Sequence, residues 1–227
     1  MGLVAADGAI FLSAGVPDPD AAHFMGEGDS VAISAAVAAL LEVTLGRRRL
    51  VWGGHPAITP MVWAFAESMG IAYGEWVRLY QSLRFADEFP EETRRFRNVV
   101  FTKRISDEIG PNLDLMRDRM LAETKFEAAV FIGGMKGIVD EFVLFREHAP
   151  EAKVLPVAST GGAARELAQS QYFDPALATN LDYVELFYDQ LAIDPNERRF
   201  ASPAEQPADK AARIVVPGND RPATDER

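Results

Sequence analysis

Apolar residues along the chain gather into short continuous runs that alternate with longer segments of helical periodicity. "AIFLSAG" (9–15) is an apolar run ended by Gly15 and Pro17, the pattern of a buried strand feeding a loop. Asp29-Ser30 offers an N-cap to the alanine-rich helix "VAISAAVAALLEVTL" (31–45). A second strand, "RLVWGG" (49–54), leads into a helix over 59–70 with Thr59 as N-cap, Pro60 at N1 and Gly70 at its end. "WVRLYQS" (76–82) and "NVVFTK" (98–103) predict two more strands, and 112–126 a helix with Leu113, Met116, Met120 and Leu121 on one face. "AAVFIGG" (128–134) predicts a strand followed by a helix over 138–149. "KVLPVAS" (153–159) is the last strand, Gly161-Gly162 opens the helix "AARELAQSQ", and 181–192 closes the body with another helix.

Continuous apolar strands joined through helices specify an α/β fold: a Rossmann-like parallel sheet covered by helices on both faces. Ligands of such sheets sit in the crevice outside the carboxyl ends of the strands. Gly15, Gly53-Gly54, Gly133-Gly134-Gly137 and Gly161-Gly162 all fall at those ends. Glycine lets a ligand approach the backbone, and the helix N-termini that follow present free N–H groups to an anion.

Composition narrows the function classes. The 227 residues are 48% hydrophobic and carry a net charge of −11, which argues against nucleic acid as a partner. From Pro195 onward six acidic residues meet six basic ones, with five prolines, so 195–227 is expected to be a flexible Pro-rich tail beyond a domain at 1–194. No apolar run is long enough for a membrane span and no secretory signal pattern opens the chain, so the expected setting is cytoplasmic, with no membrane partner. The absence of cysteine excludes disulfides, thiolate metal sites and a cysteine nucleophile.

The G-x-G-x-x-G, Walker and G-x-S-x-G patterns are all missing. His23, His55 and His148 lie far apart in sequence, so neither a metal nor a cofactor is expected. What remains is a constellation suited to a nucleotide-derived small molecule. The expected binding residues are Ser13, Gly15, Gly53, Gly54, His55, Thr59, Gly133, Gly134, Met135, Lys136, Gly137, Ser159 and Thr160. Glu141, placed on the first turn of its helix, is suited to stabilising an oxocarbenium-like ribose centre, and Arg117 to holding phosphate. The plainer roles are a carboxylate complementing a helix N-terminus and a solvated arginine.

"LVWGGHPAITPM" (50–61) and "FIGGMKGIVDEF" (131–142), separated by "MRDRML", resemble the SLOG superfamily, named for the Smf/DprA and LOG proteins. In the LOG branch, Pro-Gly-Gly-x-Gly-Thr-x-x-Glu marks phosphoribohydrolases that release a base from a nucleoside monophosphate; other branches sense NAD-derived or cyclic nucleotides. On this resemblance Gly133, Gly134 and Gly137 match the hallmark glycines, Glu141 its glutamate, and Arg117 the arginine of the preceding helix. Ile132 stands where the hallmark has proline, Ile138 where it has threonine, and Met135-Lys136 is one residue longer than its single linker position. The missing hydroxyl removes a phosphate donor, for which Lys136 offers a cation instead. The resemblance thus implies a nucleotide sensor or regulatory domain first and a LOG-like nucleotide N-glycosidase second, with a purely structural α/β domain as the third reading. It further implies a homodimer and an effector protein as partner.

Overall fold

The computed structural model describes residues 8–17, 28–69 and 73–215. Six strands form one parallel sheet in the order β4-β3-β2-β1-β5-β6: β1 Ala9–Gly15, β2 Leu50–Trp52, β3 Val77–Ser82, β4 Val99–Thr102, β5 Phe126–Gly133 and β6 Lys153–Val157. The helices are α1 Ser30–Thr44, α2 Thr59–Ser68, the short α3 Tyr73–Trp76, α4 Ile109–Ala122, α5 Lys136–His148, α6 Gly162–Ser170, the short α7 Ala176–Thr179 and α8 Tyr183–Gln190. Each strand expected from the sequence is present, and the Rossmann-like architecture stands. Among the described residues no helix is long and apolar enough to cross a membrane, and no cluster of acidic or histidine side chains is arranged to hold a metal ion.

Alternating strand positions feed two cores. Ile10, Leu12, Leu50, Trp52, Val130 and Ile132 face α1, α2 and α8. Ala9, Phe11, Val51, Phe131 and Val154 face α4, α5 and α6. Phe11 anchors the second core, stacked on Phe145 of α5 at 5.6 Å with edge contacts to Phe126 and Phe131. α1 is apolar on nearly every side because it lies between the sheet and α8; Asp29 caps it by accepting from Val31 N–H and Ala32 N–H.

Several boundaries differ from expectation for local reasons. α4 begins at Ile109, upstream of Gly110-Pro111, because proline is tolerated in a first turn where its missing N–H has no partner to lose. α5 begins two residues early, at Lys136. The N-cap of α2 is Ile58, and Thr59 is the first helical residue. α2 ends at Ser68; Gly70, the expected terminator, lies outside the described residues.

The segment expected to be a flexible tail is held against the body as far as Val215, and residues 216–227 lie outside the described residues. Its composition is neutral and proline-rich, but its charges are spent on burial and pairing. Glu197 is 3% exposed and accepts from both terminal guanidinium nitrogens of the buried Arg48, at 2.7 and 3.1 Å. Arg213 approaches the same carboxylate at 3.6 Å, and Arg48 Nε reaches Glu127 at 3.0 Å. Backbone bonds add to this: Arg198 N–H to Arg213 C=O, Val215 N–H to Asn196 C=O and Phe200 N–H to Gly46 C=O. A proline-rich stretch folds here because specific buried ion pairs substitute for the apolar surface it lacks.

Removing one partner of such a buried network strands the other charges, which costs about 3 kcal/mol or more. Glu197→Ala is therefore expected to lower the urea-unfolding free energy by roughly that amount at neutral pH. A midpoint equal to that of the wild type would show that the network does not hold the segment.

Candidate functional site

The strand order reverses at β1: β2, β3 and β4 extend to one side and β5 and β6 to the other. β1 and β5 run in register to their last residues, with Gly15 opposite Gly133, and Gly134 N–H donates to Gly15 C=O at 2.7 Å. Outside this junction, at the carboxyl ends of β1, β2 and β5, lies a cleft of about 210 Å³. Residues 12–16 and 52–55 line it from the sheet, Leu113, Met116 and Arg117 from α4, and Gly134, Met135, Gly137, Ile138 and Glu141 from the start of α5.

The sharp exit from β5 depends on Gly134. Its φ is +69°, and a Cβ there would collide with the side chain of Ile138, the residue that seals the first turn of α5 against the core. Met135, the N-cap of α5, provides no side-chain cap, and the first turn contains no acidic residue. The opening N–H groups of α5 therefore give the cleft a local positive potential inside an acidic protein.

Within the cleft a polar chain runs Ser13–Glu141–Arg117. Ser13 Oγ donates to Glu141 Oε2 at 2.6 Å, and Arg117 Nε donates to Glu141 Oε1 at 3.2 Å. Arg117 Nη2 also donates to Gly137 C=O at 3.3 Å, and Nη1 lies 3.7 Å from Asp140. The two principal side chains are only 14% (Glu141) and 8% (Arg117) exposed. Burial raises the Glu141 carboxyl above its usual range; the Arg117 charge and the Ser13 hydroxyl oppose that rise, and the Asp140 charge adds to it.

Other expected residues divide into those the fold gathers and those it does not. Gly15, Gly53, Gly54, His55, Gly134, Met135 and Gly137 line the cleft. His55 Nδ1 accepts from Ala57 N–H at 3.2 Å, a bond that fits the tautomer with its proton on Nε2. Burial lowers its pKa, so the ring is neutral at neutral pH.

Six of the expected residues are placed otherwise than the sequence suggested. Thr59 is fully buried and donates to His55 C=O at 2.9 Å, serving the turn instead of a ligand. Gly133 spends its N–H on Thr160 Oγ1, which itself donates to Val157 C=O, so this pair braces the end of β5. Ser159 meets Tyr183 at 3.2 Å, away from the cleft, because the 3-10 turn Ala158–Thr160 directs it toward α8. Lys136 is 81% exposed and paired with Asp140 at 2.8 Å, and it does not line the cleft. Glu141 sits on the second turn of α5, not the first, because the helix starts at Lys136.

Sequence reasoning missed Trp52, Leu113, Met116 and Ile138 as cleft residues. The helical spacing of Leu113, four residues before Arg117, was the available signal. Met116 was legible only as core, and it serves both: it is 3% exposed, and its methyl would lie 3.2 Å from a Cβ on Gly53.

A sequence model described as the SLOG cluster3 family matches residues 23–191. Among solved structures, the X-ray structure of TM1055, a structural-genomics target, is similar with a TM-score of 0.49 at 15% identity, covering 81% of this chain and 99% of that one. No curated protein matches the chain.

The Glu141 environment carries a pH signature. A carboxyl whose folded-state pKa exceeds its unfolded value contributes stability that is fully present below the unfolded value, near 4.3, and lost as pH rises through the folded value. Glu141→Gln abolishes this titration. As pH rises above about 4, the wild type should therefore lose stability relative to Glu141→Gln, as urea unfolding of the two proteins across a pH series would show. A difference that stays constant as pH rises from about 4 to neutrality would refute the raised pKa.

Proposed function

The chain belongs to the SLOG cluster3 family, and from that premise we propose that it binds a nucleotide-derived small molecule in the cleft outside β1, β2 and β5, as a sensor or regulatory domain. Membership in a SLOG family supports a nucleotide-related role in general. The finer reading is carried by the Ser13–Glu141–Arg117 chain, which lies at the strand-order reversal beside the uncapped start of α5. There the opening N–H groups of α5 face an anionic group, and the Glu141 carboxylate is within the same cleft to accept from ribose hydroxyls.

The satisfaction of that chain favours sensing over turnover. Both Glu141 oxygens are engaged, and all three guanidinium nitrogens of Arg117 approach protein acceptors. An arginine compensated in this way is not free to clamp phosphate unless Glu141 or Asp140 releases it. With Ile138 sealed in the core and Lys136 turned to solvent, phosphate would rest on backbone N–H groups alone. A ligand that exchanges partners with Arg117 would shift α5 relative to α4, and such a change can be transmitted to a partner protein.

The second reading, a LOG-like phosphoribohydrolase, draws on the same Glu141: a buried carboxylate beside the ribose would stabilise an oxocarbenium-like transition state as the N-glycosidic bond breaks. Incubation with AMP, NAD, ADP-ribose and cyclic nucleotides separates the two. At a hundredfold excess over Kd a bound nucleotide should raise Tm by roughly 5–10 °C with no free base released. Base release that disappears in Glu141→Gln would establish the hydrolase, and the absence of any Tm shift would overturn both readings.

A further inference from the structure

Beside the cleft, a second chamber of about 240 Å³ opens over the same Gly53-Gly54 corner and along the same Leu113 and Met116 side of α4. Its opposite wall comes from the 3-10 turn Leu83–Glu88 and the residues after it, which contribute Phe85, Glu88, Phe89 and Pro90. Neither aromatic ring is isolated. Phe89 packs on Phe101 with centroids 5.9 Å apart, and the Arg84 guanidinium lies over Phe85.

Gln81, near the carboxyl end of β3, is the unusual residue of this chamber. It is only 6% exposed as a whole, and among the described residues its side-chain amide makes no hydrogen bond within the protein: the amide opens on the chamber and is not sealed in the core. An amide that lines a cavity without a bond inside the protein keeps its donor and acceptor edges for a ligand. Gly54 makes this placement possible. It adopts φ +63°, and a Cβ there would collide with Gln81 Nε2 and lie 2.7 Å from Leu79 Cδ1, so the amide nitrogen rests directly over a bare backbone.

We infer that this chamber is the base subsite of the nucleotide cleft, and that Gln81, between the Phe85 and Phe89 walls, selects a base presenting an amino group beside a ring nitrogen, as adenine does. A carboxamide offers one donor edge and one acceptor edge, which pair bidentately with adenine N6 and N7. Guanine O6 and N7 are both acceptors and call for two donors, as arginine or lysine would supply. Glu88, lining the same chamber, adds only acceptor oxygens, which welcome an amino group and repel a carbonyl. The aromatic walls supply the flat apolar surface on which a base stacks.

This inference rests on the nucleotide reading of the cleft, and one experiment separates the two. Calorimetric titration of the full chain with AMP, GMP, UMP and ribose 5-phosphate is expected to show AMP binding at least about tenfold tighter than the other three. Gln81→Met, similar in volume but without the amide, should erase that preference while leaving ribose 5-phosphate affinity unchanged. Equal binding of AMP, GMP and UMP by the wild type would overturn the subsite, as would AMP affinity unaltered in Gln81→Met or a loss for ribose 5-phosphate equal to that for AMP. Ribose 5-phosphate binding with no gain from any base defeats the subsite alone, whereas failure of all four ligands on the wild type defeats the nucleotide reading itself. The wild-type ranking stands as a test even if Gln81→Met does not fold.

Discussion

The hydrogen bond from Gly134 N–H to Gly15 C=O joins the ends of the two strands between which the sheet changes direction. That junction places two polar groups of the cleft, Ser13 and Glu141. It fixes Ser13 on β1 two residues before one end and sends the chain into α5 from the other, so that Glu141 returns to face Ser13 across 128 residues of sequence. The junction requires a backbone conformation that only glycine adopts readily, followed by Ile138 locking α5 to the core. The glycines therefore do two things at once: they end strands, and they set the distance between a hydroxyl and a carboxylate.

Charge is organised at two levels. The chain as a whole is strongly acidic, which sets its long-range repulsion of anions. Locally, the cleft contains an uncapped helix start and a compensated arginine, interactions that act over a few ångströms and are weakly screened when buried. At the opposite end of the sheet, the Arg48–Glu197–Arg213 network fastens residues 195–215 to the body. Buried ion pairs hold both ends of the molecule, but at the cleft they line an accessible cavity and at the other end they are sealed.

Much of the fold was legible because parallel strands covered on both faces appear as continuous apolar runs. The helix over 109–122 was read as starting late because Gly110-Pro111 resembles a break, and a first turn is the one helical location where proline does no harm. Residues 195–215 were misread because composition counts apolar area and cannot show which arginine meets which glutamate. That Gly15, His55, Gly134, Arg117 and Glu141 gather at one cleft was legible from strand ends and the family motif. That Ser159, Thr160 and Lys136 turn to other partners was not, since the direction of a side chain depends on turn geometry and on neighbours distant in sequence.

The sequence by itself determined the element types, the parallel sheet and the end of the sheet where glycines and helix N-termini gather, because these follow from hydrophobic period and backbone sterics, which are local. Only the tertiary structure decided that Arg117 is occupied by Glu141, that Lys136 faces solvent and that Gln81, an unremarked amide inside a strand, opens unpartnered into an aromatic chamber. Those facts depend on long-range contacts: β3 and the turn after it are brought beside Gly54 by strand pairing, and no periodicity along the chain encodes that proximity.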